Sequence, residues 1–233
     1  MTLHKKTFQT RTLTAIVFAI VMMAGLFINI WTFIALVGII LIGCVYEFSI
    51  ILKKIYPQTH LSFLPLALFY IVLPLYLLLD LGIDTASITS VKGFSGIGII
   101  PWLPCAIIFS IWINDTMAYI VGSLIGKHSL SKISPNKTWE GTIGGVVLCV
   151  LIITLLSRVI AITSLLPWHH WFYISAISAI AGTLGDLLES KLKRRAKLKD
   201  SGSFMPGHGG FLDRFDSLLV AVPFVWLYVY LFM

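Results

Sequence analysis

Charged side chains are scarce in this sequence. Asp, Glu, Lys and Arg together make up 12% of its 233 residues, whereas hydrophobic side chains make up 58%. A soluble domain usually carries about twice this share of charged residues. Because a mostly apolar surface does not stay dissolved, the composition excludes an ordinary soluble globular domain. Several apolar runs also reach about 20 residues, the length that crosses a bilayer as a helix.

Cysteine is also rare, with only Cys44, Cys105 and Cys149, each alone within an apolar run. An odd number of widely spaced cysteines argues against both a disulfide framework and a zinc site. We therefore interpret all three as small packing residues.

The apolar runs predict an all-α fold, a polytopic membrane helix bundle with about seven transmembrane helices. These runs cover residues 13–28, 31–52, 63–79, 99–121, 143–160, 168–188 and 215–232. We expect residues 1–100 to form N-terminal transmembrane helices. Residues 101–233 are expected to form a catalytic transmembrane region with two cytoplasmic motif segments, 114–141 and 186–217.

Lys and Arg are distributed very unevenly over the predicted loops. With the N-terminus in the cytoplasm, all but two of the 17 basic residues, Lys92 and Arg158, fall on the cytoplasmic side. Such a bias predicts the orientation of a membrane protein, so we expect a cytoplasmic N-terminus. The net charge of +7 then has two interpretations. It serves membrane orientation and attraction to anionic lipid headgroups, or it forms a binding site for phosphates. Nucleic-acid binding is not expected, since the charge follows the membrane topology.

The acidic residues favour the phosphate site. All but three of the ten Asp and Glu residues (Glu47, Asp80 and Asp84) fall within 114–140 and 186–216, among the basic residues. A basic loop that serves topology alone needs no interleaved acids. The two segments therefore indicate a site of chemistry on the cytoplasmic side.

The first segment combines an acid within an apolar run with a helix start. Asp115 lies within an apolar helix, where an ionisable group is costly enough to suggest function, although a helix-end acid paired with lysine is an equal alternative. Thr138 is a predicted N-cap with Lys137 beside it, and a helix start of this kind binds phosphate. An ordinary capped helix with a topogenic lysine remains open. Gly122 and Gly126 are four residues apart, which predicts close helix packing.

The second segment places polar residues on one helix face. Asp186, Glu189, Ser190 and Lys193 follow an i, i+3, i+4, i+7 spacing. Side chains with this spacing lie on the same side of a helix.

Asp213 and Asp216 are one turn apart at the predicted start of the last helix. Two carboxylates on one face, with a third such as Asp186 from another helix, suit Mg²⁺, which prefers oxygen ligands. The alternative is a pair of N-terminal acids that complement the helix dipole. Lys193, Arg194 and Arg195 could likewise be topogenic, lipid-facing charge.

The stretch 190–216 resembles the signature of the phosphatidate cytidylyltransferases. The polar positions of that signature are filled by Ser190, Lys193, Arg194, Lys199, Asp200, His208, Gly209, Gly210, Asp213, Arg214 and Asp216. Met205 replaces the usual Leu, Ile or Phe conservatively. Asp115 to Tyr119 and Ser134 to Gly141 are also similar to the family, with Asn136 where Lys is frequent.

The resemblance implies a Mg²⁺-dependent enzyme that makes CDP-diacylglycerol and pyrophosphate from CTP and phosphatidic acid. It also implies a homodimer in the bacterial cytoplasmic (inner) membrane with its active site facing the cytoplasm, and leaves room for a second, monovalent cation. Asp186 and Asp213 are the preferred metal ligands, followed by Asp216. Lys199 and Asp200 are expected to shape the nucleotide site. The expected substrate-binding residues are Lys137, Ser190, Lys193, Arg194, His208, Arg214 and Asp115.

Two other functions use similar features. A CTP-dependent polyprenol kinase would transfer the γ-phosphoryl group to an alcohol with comparable residues, but the length of the 190–216 signature favours the cytidylyltransferase. A membrane transporter would place its acids near the bilayer midplane, often within repeats. Here the acids gather at one predicted interface, and the sequence has no evident internal repeat.

Overall fold

The structure is a computed structural model that describes residues 5–91, 101–160, 166–204 and 209–233, with side chains from residue 12 and without those of residues 85–91. Over these ranges the chain forms α-helices and one π-helical segment and has no β-strand. An isolated bridge joins Ser129 and Thr138. The helices are α1 (Lys5–Phe27), α2 (Ile30–Ile55), α3 (His60–Phe63), the π-helix (Leu68–Val72), α4 (Leu73–Val91), α5 (Trp102–Ile125), α6 (Trp139–Leu156), α7 (Trp168–Arg195) and α8 (Leu212–Phe232).

Six stretches of the described chain are long and apolar enough to cross a bilayer. They are Ile30–Ile55, His60–Asp84, Trp102–Ile125, Trp139–Leu156, Trp168–Arg195 and Leu212–Phe232. The apolar part of α1, Thr12–Phe27, is shorter. The predicted all-α, polytopic membrane fold is confirmed.

Some helices are longer than the apolar runs that predicted them, because polar residues at their ends are also helical. Helix α7 continues seven residues past the predicted end at residue 188, and α8 begins three residues before residue 215. Hydropathy detects the apolar middle of a helix, but backbone hydrogen bonds continue through polar side chains. As a result, polar residues of the second motif segment lie on regular helix.

The chain divides into two compact units. Unit 1 comprises Met1–Trp102 and Leu192–Phe215, and unit 2 comprises Leu103–Lys191 and Asp216–Met233. In unit 1 the packing of α2 with α1 and α4 buries side chains such as Phe33, Ile40 and Leu78. The separation near residue 100 into N-terminal helices and a catalytic region remains a prediction.

In unit 2, α5 and α6 approach each other closely at small residues. A Cβ atom at Gly141 would lie 2.7 Å from the carbonyl oxygen of Ala118, and one at Gly145 would lie 2.8 Å from the Ala118 Cβ. A Cβ atom at Gly122 would lie 3.1 Å from the Thr138 Oγ1, and one at Gly126 would lie 2.7 Å from the same atom. The glycines therefore allow the close packing that their spacing predicted.

The three cysteines are buried and are not joined by a disulfide bond. The thiol of Cys149 donates to the carbonyl oxygen of Ser110 at 3.1 Å. This agrees with their interpretation as packing residues.

Candidate active site

Three carboxylates gather in unit 2. Asp186 and Glu189 on α7 and Asp216 on α8 each offer an oxygen atom, and these atoms lie within 4.8 Å of one another. Glu189 has 0% and Asp216 has 6% of its surface exposed. Like charges at such a distance oppose one another, and a cation relieves that repulsion. Oxygen donors from acidic side chains are the ligand set that Mg²⁺ prefers, so the cluster fits this ion.

Asp186 and Asp216 were predicted ligands, whereas Glu189 was not. The sequence already placed Glu189 one helical turn from Asp186 on the same face. The spacing could therefore have predicted that Glu189 lies in the carboxylate cluster. The role of all three as metal ligands remains a prediction.

Lys137 contacts the acid cluster through Asp186, to which its ammonium is ion-paired. Ser190, one turn along α7, donates its hydroxyl to Asp186 Oδ1 at 3.4 Å. Asp186 thus connects the α5–α6 loop with the polar face of α7. The spacing-based prediction that Asp186 and Ser190 share a helix face is confirmed.

The helix start beside Lys137 has the predicted cap. Thr138 has extended backbone geometry, and its hydroxyl oxygen accepts a hydrogen bond from the Gly141 N–H at 3.1 Å. An N-cap of this kind sets the direction in which the first turn of α6 begins. Lys137, immediately before the cap, is therefore attached to a rigid helix end.

The loop before this cap is held by Glu140. Its carboxylate accepts from the backbone N–H groups of Lys127 at 3.1 Å and His128 at 3.2 Å, and lies 2.6 Å from the His128 Nδ1. The Leu130 N–H donates to the carbonyl oxygen of Lys137 at 2.7 Å. These bonds fix the backbone on both sides of the loop that ends at Lys137.

A cavity of about 350 Å³ lies beside this cluster. Its lining includes Asp115, Tyr119, Lys137, Thr183 and Asp186. Asp115 is exposed on α5, so it lines the cavity without belonging to the three-carboxylate cluster. The two features of the first motif segment, Asp115 and Lys137, are therefore brought to one cavity.

Asp213 has a different environment, within unit 1. One carboxylate oxygen lies 2.5 Å from the Lys193 ammonium. The other accepts from the backbone N–H groups of Ser201 at 2.9 Å and Gly210 at 2.8 Å. Only 13% of the Lys193 side chain and 8% of the Asp213 side chain are exposed. The structure thus shows Asp213, a predicted metal ligand, holding a lysine and two loop residues.

Glu47 on α2 is a buried acid of unit 1 to which the sequence analysis assigned no role. Its Oε2 accepts from the Ser201 hydroxyl at 2.6 Å and from the Leu212 N–H at 3.0 Å. An ionisable side chain in an apolar helix was the signal that singled out Asp115, and it applies equally to Glu47.

Four other predicted residues of the second segment, Arg194, Lys199, Asp200 and Arg214, lie at the surface of unit 1. Lys199 and Arg214 are exposed, and the Arg194 guanidinium donates to the Leu198 carbonyl oxygen at 3.2 Å. Asp200 lines a cavity of about 850 Å³ whose lining includes Lys54. His208 lies outside the described residues.

Comparison with known proteins places these motifs in a family. The sequence profile of the cytidylyltransferase family matches residues 97–232, more than half of the chain. This chain belongs to the cytidylyltransferase family. The match contains both motif segments, so the resemblance seen in the sequence is confirmed. Glu47 lies outside the residues that the family profile matches.

Bacterial members of the family are similar to this chain. A Bacillus subtilis phosphatidate cytidylyltransferase is 34% identical over 187 residues, which cover 79% of this chain and 64% of the relative. Phosphatidate cytidylyltransferases of Staphylococcus saprophyticus and Staphylococcus haemolyticus are 47% and 48% identical over 114 residues, covering 48% of this chain and 43% of each relative. The chain therefore spans less than two thirds of the length of these relatives.

Proposed function

We propose that this member of the cytidylyltransferase family transfers the cytidylyl group of CTP to phosphatidic acid, giving CDP-diacylglycerol and pyrophosphate. The observation that carries the proposal is the gathering of Asp186, Glu189 and Asp216, with Lys137 paired to Asp186. Relatives named phosphatidate cytidylyltransferase support the choice of substrates.

A divalent metal ion, Mg²⁺ in our proposal, would be held by Asp186, Glu189 and Asp216. When bound, it supplies positive charge that neutralises the triphosphate and the departing pyrophosphate. The donor set supports this assignment because all three ligands are carboxylates. The ligand role that the sequence predicted for Asp213 is untested, and in our proposal this acid positions Lys193 instead. A second, monovalent cation remains a prediction.

The transfer itself is a substitution at phosphorus. A phosphate oxygen of phosphatidic acid forms a bond to the α-phosphorus of CTP. The bond from that phosphorus to the oxygen that bridges to the β-phosphorus breaks, and pyrophosphate leaves with the electron pair. The attacking phosphomonoester is already anionic near neutral pH. A general base is therefore not required, and positioning and charge stabilisation dominate.

Lys137 and the start of α6 would supply part of this stabilisation. The ammonium and the N–H groups of a helix start both attract phosphate oxygens. Glu140 and Thr138 hold this position before substrate arrives, so little reorganisation is needed during the reaction.

The second motif segment would supply further phosphate contacts. Asp213 holds the Lys193 ammonium in place, and we assign Lys193, Arg194 and Arg214 to phosphate groups. Lys199 and Asp200 would shape the nucleotide site. Ser190, His208 and Asp115 are proposed contact residues.

The proposed location is the bacterial cytoplasmic membrane, with the site at its cytoplasmic interface. Six helices with membrane-spanning length and composition support a multi-pass protein, and the positions of Lys and Arg support the orientation. Phosphatidic acid would then enter sideways from the bilayer while CTP arrives from the cytosol. The homodimer implied by the resemblance remains a prediction.

The test uses detergent-purified protein with phosphatidic acid, Mg²⁺ and CTP labelled on either the α- or the γ-phosphate. Cytidylyl transfer moves the α-label into lipid and releases the γ-label as pyrophosphate. Asp216→Asn is the inactive control. A γ-label that appears in a polyprenol lipid would instead identify a kinase, and unchanged CTP with folded protein would overturn the proposal.

A further inference from the structure

Glu47 is a buried ionisable side chain on the membrane-spanning helix α2, where only 3% of its surface is exposed. Burying an ionised carboxylate is costly unless donors satisfy it. Other α2 residues such as Phe33, Ile40 and Ile51 are buried hydrophobic side chains. The position of Glu47 therefore calls for a specific set of partners.

Those partners come from the second motif segment, far away in sequence. The Ser201 hydroxyl donates to the Glu47 Oε2 at 2.6 Å across 154 residues. The Leu212 N–H donates to the same oxygen at 3.0 Å across 165 residues. Ser201 follows Lys199 and Asp200, and Leu212 is the first residue of α8. One oxygen of Glu47 thus bonds residues at both ends of the Ser201–Leu212 stretch.

The network continues from Ser201 to Asp213. The Asp213 N–H donates to the Ser201 hydroxyl oxygen at 3.2 Å, and the Ser201 N–H donates to Asp213 Oδ2 at 2.9 Å. A hydroxyl has one hydrogen to donate, and Ser201 uses it on Glu47 while its oxygen accepts from Asp213. Asp213 is therefore coupled to Glu47 through a single side chain.

Two glycines of the motif segment make room for Glu47. A Cβ atom at Gly202 would overlap with the Glu47 carboxylate, with its Cδ at 2.6 Å. A Cβ at Gly210 would also overlap with it, with the Cδ at 2.5 Å. The backbone of the segment thus approaches the carboxylate more closely than any side-chain-bearing residue allows.

We propose that Glu47 is a positioning residue that holds Asp213, and through it Lys193, by bonding Ser201 and Leu212. The kinetic part of this inference rests on the proposed function, whereas the structural part does not. It assigns a role in the site to an N-terminal helix outside the matched family region.

The structural part is tested by amide hydrogen exchange in Glu47→Leu, which removes both acceptor oxygens at similar volume. Peptides that cover 199–204 and 209–216 are expected to exchange at least about tenfold faster. Without the bonds to Glu47, local opening of this segment costs less free energy and therefore occurs more often. Ser49→Ala is the matched control, since that hydroxyl donates within α2 to the Tyr46 carbonyl oxygen. Unchanged exchange in Glu47→Leu would overturn the proposal, whatever happens to activity.

The kinetic part compares Glu47→Leu, Glu47→Gln and Ser201→Ala. A small displacement of a positioned group costs about 10²-fold in rate, so Glu47→Leu is expected to lower kcat by that order while the KM for CTP changes by less than about threefold. Glu47→Gln retains an acceptor oxygen and is expected to recover most of the loss. If Glu47→Gln were as impaired as Glu47→Leu, the hydrogen-bond role would be wrong.

The double variant Glu47→Leu/Ser201→Ala separates a shared network from independent effects. Residues that act through one network give non-additive losses, so the double variant is expected to be no slower than the slower single variant. Additive losses would overturn the inference. If Glu47→Leu does not fold, Ser201→Ala carries the test, because it removes the hydroxyl that joins Glu47 to Asp213. Unchanged exchange of the peptide 209–216 in that variant would overturn the inference. A third outcome combines faster exchange in Glu47→Leu with no cytidylyl transfer by the unmodified protein. That outcome would refute the proposed function and leave the structural role of Glu47 standing.

Discussion

Carboxylates occur in two contrasting settings in this protein. In unit 2, Asp186, Glu189 and Asp216 lie with ligand atoms within 4.8 Å of one another. In unit 1, Glu47 and Asp213 each accept hydrogen bonds from identified donors of the same unit. The first setting places three carboxylates together, with one of them ion-paired to Lys137, and therefore favours a bound cation. The second already compensates its charge, so it is suited to hold a loop in place.

The contrast is sharpest for Asp213 and Asp216, which stand three residues apart on α8. Sequence spacing treats them as an equivalent pair of helix-start acids. Their surroundings are different, because Asp213 pairs with Lys193 while Asp216 belongs to the carboxylate cluster. We therefore expect their substitutions to impair the enzyme for different reasons.

The largest expected effect is that of Asp213→Asn. The substitution removes the countercharge of Lys193, so turnover is expected to be abolished while membrane insertion stays intact. Label transfer from CTP measures turnover, and a membrane-fraction assay measures insertion. Asp84→Asn, an exposed acid on α4, is the control and should remain active. Normal turnover in Asp213→Asn would remove this residue from the proposed site.

Metal affinity tests the comparison directly. Asp216→Asn and Glu189→Gln are expected to weaken binding of Mn²⁺, used as a spectroscopic substitute for Mg²⁺, by about 10²-fold because each replaces a charged carboxylate ligand by a neutral amide. Asp213→Asn should leave the affinity within about threefold, because this acid is engaged by Lys193 and backbone N–H groups. Electron paramagnetic resonance titration of the purified variants measures free Mn²⁺. Equal losses in all three variants would show that the two settings form one metal site.

Lys137→Met is expected to have a smaller effect. A charged hydrogen bond contributes about 1.5–3 kcal/mol, so kcat/KM for CTP should fall roughly 10- to 10²-fold. Lys132→Met removes an exposed lysine of the same loop and should change little. Lys137→Arg keeps the positive charge but changes the shape of the side chain. Its rate is expected to lie between those of the unmodified protein and Lys137→Met. Loss of activity in Lys132→Met equal to that in Lys137→Met would indicate a general charge effect.

Gly141→Ala should alter stability more than chemistry. The added Cβ would lie 2.7 Å from the Ala118 carbonyl oxygen and 2.9 Å from the Gly122 Cα. Because backbone atoms cannot move aside easily, a loss of about 1–3 kcal/mol in the free energy of unfolding is expected. Thermal unfolding in detergent measures it. Gly38→Ala is the matched control, since no atom lies within 4 Å of its added Cβ, and an equal loss there would contradict the packing argument.

Much of the fold and part of the site follow from local sequence. Apolar runs predicted the helices because bilayer-spanning length and composition are properties of a segment alone. The Thr138 cap was predicted for the same reason, since its hydrogen bond joins residues only three positions apart. The face shared by Asp186 and Ser190 also follows from helical periodicity.

Contacts between distant residues were decided only by the tertiary structure. The sequence placed Asp213 and Asp216 in one category, but their partners come from other parts of the chain. Glu47 joins residues more than 150 positions away, and no local pattern encodes such a hydrogen bond. The sequence by itself determined the helices, their membrane character and the chemistry-bearing segments, because these depend on hydrophobicity and short-range spacing. The tertiary structure decided which acids gather and which are neutralised, because the net charge around a carboxylate depends on all the groups that folding brings beside it.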